Sequence, residues 1–411
     1  MPKATRPIHL DLRRPIAMGS HAFARQKYAF YRAMLEEAPV CRASILGLRF
    51  FAVAGYEDCK SLLTDPRFVR SRTTATGGSR FPFPVPRSVS LLAESMILED
   101  DPAHRRLRAL VNKAFTPGAV ARLAGRIEAL THELYDAAEM QGEVDLKQAY
   151  ALPIPSTIIG EIVGVPEAEM PELHRSVRIL SSGLSGFGIL RTLLFDLRRA
   201  ARFMTKLVER KRADPQDDIL SALIEAEEDG DQLSEHEILS MLFLLVVAGF
   251  ETTYNLITNG VLTLLDHPDQ LERLRAEPEL LDSAIEEILR HRGPVHGTKL
   301  CYATEEVSVR GVCIPKGSPA MPLLAAANHD PAVFEKPDCF DIGRSPNRHL
   351  AFGHGAHFCL GAQLARLETR LALQTLLARS PKLRLAVPRE EIQPQAVGGW
   401  HRYPRLPVAL V

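Results

Sequence analysis

The chain has 411 residues, of which 46% are hydrophobic and 24% are charged, proportions that are ordinary for a globular protein with a sizeable core. Lys plus Arg and Asp plus Glu both number 50, so the net charge is +0 and no global field favours nucleic acid or an acidic membrane. The first residues contain no apolar segment, and the longest apolar run, residues 241–250, is far shorter than the ~20 residues of a membrane helix, so we expect neither a secretory signal nor a membrane anchor.

The first hundred residues mix short regular elements with a long irregular segment. A helical pattern covers residues 21–38, and Gly47 is placed to turn two short strands within residues 44–55. Residues 66–98 are rich in Arg, Ser, Gly, Phe and Pro without any periodicity, which predicts a long loop. Loops of that length are uncommon unless they serve a function.

The remainder is predominantly helical. From residue 102 to about residue 290 the patterns favour helices, interrupted near Pro153, Pro166 and Pro215. Short strands are predicted again within residues 305–317, and a loop rich in Pro and Gly leads to a last helix. We therefore predict a mainly α chain with small β-sheets. Since no linker divides it, we expect one large domain over residues 1–411.

A capping box marks the start of one long central helix. Ser234 can cap the first turn while Glu237 reaches back to it, and the helical pattern continues to about Asp266, where His267 and Pro268 stop it. At ~1.5 Å per residue the helix is roughly 48 Å long, enough to cross a whole domain. Its first half is apolar nearly all round, which predicts a buried helix.

Polar residues interrupt this apolar helix at its centre. Ala248 and Gly249 precede Glu251, Thr252 and Thr253. A buried carboxylate and buried hydroxyls need partners, and a threonine can bond back to the carbonyl one turn earlier. One interpretation is a local opening for a small ligand, with an acid and an alcohol ready to pass protons. The alternative is a helix that becomes exposed halfway.

The six cysteines are scattered without a CxxC pair, so they form neither a disulfide framework nor a zinc ribbon. We expect at least five of them to be buried free thiols in a reducing cytoplasm. Cys359 differs, because it follows Gly353 and Gly355 and immediately precedes a helical pattern. The positive end of a helix dipole favours thiolate. A buried structural cysteine remains an alternative, as does a zinc site with His354 and His357, for which a fourth ligand is missing.

Five segments together resemble the cytochrome P450 family. Residues 352–361, FGHGAHFCLG, resemble its cysteine-ligand loop, and residues 248–253 its oxygen-binding acid–alcohol segment. Residues 287–290 match its ExxR motif, residues 101–108 resemble a helix of its soluble bacterial members, and residues 327–331 resemble the segment before the cysteine. The segments occur in the family's order, so the resemblance implies the cytochrome P450 fold and a haem-thiolate monooxygenase.

The resemblance also implies a role for each matching residue. Cys359 becomes the axial ligand of a haem b, and Glu287 with Arg290 becomes a buried pair that braces the cysteine loop. An isolated ExxR would more simply be a surface ion pair. Thr252 and Glu251 would supply protons for oxygen activation, with Gly249 leaving room for dioxygen. The residues that would contact the haem, several of them at its propionates, are His104, Arg108, Ala248, Lys299, Phe352, Gly353, His357, Gly361 and Ala362.

One position departs from the family's pattern. Bacterial relatives often carry an arginine, another propionate partner, where this chain has Cys301. Lys299 is a candidate substitute, but a lysine does not offer the forked donors of an arginine.

No nucleotide-binding motif for a reductase is evident, so electrons are expected from a separate ferredoxin or flavodoxin with its own reductase. Arg105, Arg106 and Lys113 could form a docking patch, or simply a solvated face. We expect a cytoplasmic monomer that takes dioxygen and a small hydrophobic substrate. By family analogy the candidate substrate contacts, each of which could instead be ordinary core packing, are Phe81, Phe83, Leu184, Phe187, Val247, Val295 and Trp400.

Two other functions remain open at this point. A haem-thiolate peroxygenase would use hydrogen peroxide directly, and Glu251 with Thr252 argues against it because only dioxygen activation requires delivered protons. A non-enzymatic haem-thiolate gas or redox sensor would need no organic pocket.

Overall fold

The computed structural model describes residues 8–79, 95–175, 197–225, 227–228 and 231–411. Helices predominate in this part of the chain. They are α1 His21–Glu37, α2 Tyr56–Thr64, α3 Arg72–Thr76, α4 Ala103–Ala114, α5 Pro117–Arg122, α6 Ala124–Glu139, α7 Pro153–Ile162, α8 Leu197–Ala213, α9 Ile219–Glu225, α10 Glu235–Asp266, α11 Pro268–Ala276, α12 Leu281–Arg292, α13 Leu324–Ala327 and α14 Ala362–Arg379. A π-helical turn, Lys147–Ala151, precedes α7.

The strands are short and form four small sheets. They are β1 Ile16–Ala17, β2 Val40–Ile45, β3 Leu48–Val53, β4 Phe68–Val69, β5 Glu143–Asp145, β6 Glu227–Glu228, β7 Asp231–Gln232, β8 Cys301–Ala303, β9 Val307–Val309, β10 Val312–Ile314, β11 Pro319–Pro322, β12 Arg384–Leu385 and β13 Pro407–Ala409. The largest sheet has the order β1-β2-β3-β11-β8-β4. The others are β10-β9, β12-β13-β5 and β6-β7. This confirms the prediction of a mainly α chain with small sheets.

Local sequence signals placed several elements correctly. The predicted hairpin is β2–β3, whose turn residues Leu46 and Gly47 have positive φ of 49° and 84°, as a two-residue hairpin turn requires. Within residues 305–317 the antiparallel pair β9–β10 forms as expected. Pro153 does not break a helix but begins α7, where its missing N–H costs nothing.

The central helix α10 is the longest element and the axis of the main core. It begins at the predicted capping box and ends at the predicted His267. It packs against α7, α8, α12 and α14, and Phe250, Tyr254 and Ile257 on it are completely buried. By length and composition α10 could cross a membrane, but 67% of its most apolar stretch is buried inside the protein, which is the position of a core helix.

Two expectations about the rest of the chain were wrong. The segment over residues 66–98 is not simply a loop, because it contains β4, whose pairing with β8 makes it an edge strand, and α3, which Ser71 caps through its hydroxyl. Residues 80–94 lie outside the described part. Cys313 and Cys339 are exposed, because they lie on a two-stranded ribbon and in a surface loop, whereas Cys41, Cys59 and Cys301 are buried as expected.

Candidate active site

The loop that carries Cys359 is shaped by two glycines. Gly353 and Gly355 have positive φ of 78° and 72°, which a residue with a side chain adopts only at a cost. A Cβ on Gly355 would also lie 3.0 Å from the carbonyl oxygen of Leu63 at the end of α2. The backbone N–H of Cys359 donates to the carbonyl of Phe352 at 2.9 Å, which closes the loop.

The helix after Cys359 begins two residues later than the pattern suggested, at Ala362, with Gly361 as its N-cap. The backbone N–H of Gly361 donates to the Cys359 sulfur. Burial raises the pKa of the Cys359 thiol, while this N–H and the charges of Arg108 and Arg366 lower it. Cys359 is nevertheless exposed on its loop, so a metal cation can approach the sulfur and stabilise its thiolate.

No group of three or more His, Cys, Asp or Glu side chains in the described ranges could hold a metal ion. This argues against the zinc alternative with His354 and His357. The donor set that Cys359 offers is a single sulfur. A single sulfur suits a metal whose other ligands come from a prosthetic group rather than from protein side chains.

The acid and arginine of the ExxR motif lie on α12 as a buried pair rather than on the surface. Glu287 is 0% and Arg290 is 1% exposed. Arg290 Nε and Nη2 donate to the two carboxylate oxygens of Glu287, both at 2.8 Å. Arg290 Nη1 and Nη2 also donate to the carbonyls of Asn328, Pro337 and Cys339, at 2.8–3.0 Å. The pair therefore fastens the segment that precedes the cysteine loop.

The neighbouring acid on α12, Glu286, fastens the cysteine loop itself, and sequence reasoning missed it. It accepts from His349 Nε2 at 3.0 Å and from Arg366 Nε at 2.6 Å. Although burial opposes it, Arg366 and His349 lower the pKa of Glu286 to about 2. The guanidinium of Arg366 also stacks 4.5 Å from the ring centre of Phe352. No local pattern links these residues, because they come from three separate segments.

The centre of α10 presents a small accessible surface beside the core. Ala248 is exposed and Val247 and Thr252 are partly exposed, although residues on either side are buried. Thr252 Oγ1 donates to the Ala248 carbonyl at 2.7 Å, the back-bond expected of a threonine in a helix. A Cβ on Gly249 would lie 3.3 Å from Ile159 of α7, so this glycine also permits close packing of the two helices. The room for dioxygen at Gly249 stays a prediction.

Glu251 makes a buried ion pair with Arg402, a residue that sequence reasoning did not identify. The side chains of Arg402 and Glu251 are 4% and 6% exposed, and Arg402 Nη1 donates to Glu251 Oε1. Burial raises the pKa of Glu251, against the attraction of Arg402, Lys147 and Lys299. Arg402 Nε is buried without a hydrogen-bond partner. The pair joins residues 151 positions apart in the sequence, so no spacing rule could have revealed it.

A cluster of donors and cations lies on the Cys359 side of α4. The rings of His104 and His357 are 4.0 Å apart, Arg108 acts electrostatically on both, and Arg70 acts on His357. Burial, then Arg70, lowers the pKa of His357 to about 3. His104 Nε2 is buried and lacks a hydrogen-bond partner. Such a cluster requires an anionic acceptor group, because buried donors and charges are costly without partners.

The remaining sequence-predicted residues divide into two groups. An isolated β-bridge brings Val295 and Trp400 together, and both residues are partly buried. Lys299 is exposed, and its carbonyl accepts a hydrogen bond from Arg70. The candidate substrate contacts Phe81, Phe83, Leu184 and Phe187 lie outside the described residues.

Comparison with known proteins agrees with this geometry. A family model described as Cytochrome P450 matches residues 24–381. Cytochrome P450 107B1 of Saccharopolyspora erythraea is 42% identical over 377 residues, which cover 90% of this chain and 92% of that protein. Polyketide biosynthesis cytochrome P450 PksS of Bacillus subtilis is 38% identical over 363 residues, covering 87% and 89%. The solved structure of PksS superimposes with a TM-score of 0.89 at 35% identity and covers 96% of this chain and 99% of that one.

These similarities confirm the fold that the resemblance implied. The chain therefore belongs to the cytochrome P450 family, whose members are haem-dependent monooxygenases that act on hydrophobic substrates with electrons from redox partners.

Proposed function

We propose that this chain binds one haem b through Cys359 and uses it to hydroxylate or epoxidise a small hydrophobic organic molecule. The observation that carries this proposal is the pairing of Cys359 with the donor cluster of His104, His357, Arg108 and Arg70. One sulfur for the metal and several donors for two carboxylates match the chemistry of iron protoporphyrin IX. We also propose that residues 1–411 act as one domain and as a cytoplasmic monomer.

The residues present fit this group at each of its parts. The unsatisfied Nε2 of His104 and the half-buried guanidinium of Arg108 suit the propionates. A Cβ at Gly361 would meet no atom within 4 Å, so a flat macrocycle has room against the turn formed by Gly361 and Ala362. Gly353 and Phe352 shape the loop on that side, and the exposed Ala248 of α10 provides a second wall.

When bound, a thiolate-ligated haem supplies the chemistry of dioxygen cleavage and substrate oxidation. The chain's own residues deliver the protons. Thr252 Oγ1 bonds to the Ala248 carbonyl and can exchange that partner for a molecule in the site, and Glu251 lies one residue before it. Burial raises the pKa of Glu251 above that of an ordinary glutamate, which favours proton uptake by this carboxylate.

We propose a ferredoxin or flavodoxin, with its reductase, as the electron donor. Arg105 and Arg106 each pair with an acid at 2.6 Å, Asp101 and Glu237 respectively, but the side chain of Arg105 is 79% exposed and that of Arg106 only 32%, so Arg105 is the more available to a partner. Lys113 is the third residue that the sequence assigns to this basic patch, and its side chain lies outside the described part of the structure. For the substrate, Val247, Val295 and Trp400 provide apolar contact, with Phe81, Phe83, Leu184 and Phe187 as further candidates. Because PksS is named for polyketide biosynthesis, polyketides are a sensible first class to screen.

The carbon-monoxide difference spectrum of the dithionite-reduced protein tests the ligand assignment. We expect the red-shifted Soret band of a thiolate-ligated haem, and its loss in Cys359→Ala, with Cys339→Ala as a control that leaves it unchanged. A band at the position of a neutral ligand would contradict the assignment of Cys359, and no haem band would overturn the proposal.

Turnover tests the reaction. With a ferredoxin or flavodoxin chain and NAD(P)H we expect product, and much less with hydrogen peroxide alone. Thr252→Ala should divert most reducing equivalents into hydrogen peroxide, because proton delivery is impaired. Equal rates with peroxide would support the peroxygenase alternative, and unchanged coupling in Thr252→Ala would show that another group delivers the protons.

A further inference from the structure

Arg70 is the neighbour of Cys301 across two strands. β4 pairs with β8 in antiparallel register, with Phe68 opposite Ala303 and Val69 opposite Tyr302. When this register is extended by one residue beyond β4, Arg70 lies opposite Cys301. Cys301 is 2% exposed, and its thiol is too weak a donor to hold a carboxylate. Position 301 therefore lacks a strong donor, while the position across from it has the strongest that a side chain offers.

The guanidinium of Arg70 is held by oxygen atoms of Thr298 and Lys299, next to β8. Arg70 is 8% exposed, and its Nη1 donates to the carbonyl of Lys299, with Thr298 Oγ1 3.5 Å away. The backbone N–H groups of Arg70 and Ser71 donate to the two oxygens of Asp100 at 2.6 and 2.9 Å. The acid nearest to Arg70 in this network thus binds backbone and does not neutralise the guanidinium.

Asp100 also fixes where Arg70 stands relative to the donor cluster. Its own carbonyl accepts the backbone N–H of His104 at 2.9 Å, at the start of α4. Asp100 therefore bonds both to the segment after β4 that carries Arg70 and to the first turn of α4, the helix that carries His104 and Arg108. Arg70 therefore belongs to the same cluster as His104, His357 and Arg108.

This cluster contains more cations than acids. Among the residues that the structure describes, neither Arg70 nor Arg108 has a carboxylate within ion-pair distance. Asp101, the remaining acid beside the cluster, pairs with Arg105 at 2.6 Å and lies 3.7 Å from His104 Nδ1. Two guanidinium groups and a buried imidazole nitrogen without a partner call for a ligand with more than one negative charge.

Lys299 is the other candidate for this role, and its surroundings argue against it. Its charged neighbours are Glu251, which attracts it, and Arg70, which repels it. The carbonyl of Lys299 accepts a hydrogen bond from Arg70 Nη1, so this residue supports the Arg70 guanidinium through its backbone.

We infer that Arg70 supplies, from across the β4–β8 pair, the guanidinium that position 301 lacks, and that it binds a propionate carboxylate of the haem. This inference rests on the proposed haem binding. Lys299 is not the substitute. Because the guanidinium comes from the neighbouring strand, the propionate is held by β4 as well as by α4.

Haem retention tests the inference without relying on turnover. In Arg70→Met, which keeps the aliphatic stem, we expect haem to transfer to apomyoglobin ~10-fold or more faster, since a hydrogen bond to a charged group is lost. The reduction potential should fall, because a positive charge that disfavours ferric haem is removed. Arg67→Met is the matched control, as Arg67 is an exposed arginine on the same segment that pairs with Asp65.

Two further variants separate haem binding from a structural role in the strand pair. Arg70→Met/Cys301→Arg should return the transfer rate and the potential toward wild type, because the guanidinium is restored on the other strand. Lys299→Met should change the transfer rate less than twofold. A transfer rate in Arg70→Met equal to wild type, or a large loss in Lys299→Met alone, would overturn the inference.

The carbon-monoxide band distinguishes this failure from failure of the proposed function. If wild-type protein shows the thiolate band but Arg70→Met retains haem normally, only the role of Arg70 is wrong. If wild-type protein shows no haem band, the proposed function fails first. If Arg70→Met does not fold, Arg70→Lys and the double variant decide, with rescue by the double variant supporting the inference and its absence overturning it.

Discussion

Two buried acid–arginine pairs in the part of the chain that the structure describes differ in how completely their polar atoms are satisfied. Glu287 and Arg290 are three residues apart on one helix, are joined by two bonds of 2.8 Å, and have partners for their other atoms. Glu251 and Arg402 come from distant segments, Arg402 Nε has no partner, and burial raises the pKa of Glu251. A saturated pair fixes structure, whereas an incomplete pair leaves an acid able to change its protonation and its partner.

The largest expected effect comes from breaking the saturated pair. Glu287→Gln leaves the buried guanidinium of Arg290 without a counter-charge, which should cost about 3–5 kcal/mol of folding stability. Urea denaturation and the fraction of expressed protein that contains haem measure the effect. Glu279→Gln, at the start of the same region but outside the core, serves as the control. A stability loss below 1 kcal/mol would show that Glu287 and Arg290 do not brace the loop.

Removing the acid of the incomplete pair should affect turnover more than folding. Glu251→Gln should lower the rate of product formation on the order of 100-fold, the typical contribution of a positioned proton donor. Its stability should fall less than that of Glu287→Gln, because burial already disfavours the charge of Glu251. Stopped-flow product analysis with a solvent isotope effect, and Glu235→Gln as an exposed control on α10, test this. Equal losses of folding stability in Glu251→Gln and Glu287→Gln would contradict the proposed difference between the two pairs.

Acid should destabilise the fold through a cluster of buried histidines, of which His291 follows Arg290 in the chain and His401 precedes Arg402. His291, His296, His329 and His401 surround Tyr28 in the core, and burial lowers the pKa of each, that of His329 to about 3. An unfolded histidine has a pKa near ~6.5, so the unfolded state takes up protons first as the pH falls. The neutral buried histidines therefore stabilise the folded state above pH ~6.5. This contribution to the free energy of unfolding is lost as the pH falls below that value, by about 2 kcal/mol at pH 5 for His329 alone.

Urea denaturation at pH 7, 6 and 5 measures this loss. The emission of Trp400, the single tryptophan of the chain, reports locally on the segment next to His401 and Arg402. His329→Gln should flatten the dependence of stability on pH, whereas His9→Gln, at an exposed site, should not. A flat stability profile in the wild-type protein would contradict the prediction.

The smallest effect is expected from the arginine of the incomplete pair. Arg402 lowers the pKa of Glu251 in opposition to burial, so in Arg402→Met that pKa should rise further. The acidic limb of the turnover profile that follows ionisation of Glu251 should then move to higher pH. Arg405→Met, an exposed arginine on the same tail, is the control. An unchanged profile in Arg402→Met would mean that Arg402 does not tune Glu251.

The contrast between the pairs also explains what the sequence could predict. Contacts within one or two turns have spacing rules, so the capping box at Ser234, the pair of Glu287 with Arg290, and the turn glycines Gly353 and Gly355 were all identified before the structure. The family resemblance added the order of the motifs and the fold.

Contacts set by the packing of distant segments have no such rule. Arg402, Glu286 and Arg70 each meet their partners only after the chain has folded, and nothing in their local sequence distinguishes them from surface charges.

Gly355 has a consequence for protein engineering. Its positive φ and its 3.0 Å approach to the Leu63 carbonyl mean that the cysteine loop and the end of α2 were shaped together. A chimera that exchanges the cysteine loop of this chain with that of a relative should therefore carry residues 56–64 with it. The unit to exchange therefore consists of two segments that are far apart in the gene, residues 56–64 and the cysteine loop. Its boundaries are set by the contacts between these segments rather than by the limits of the sequence motif.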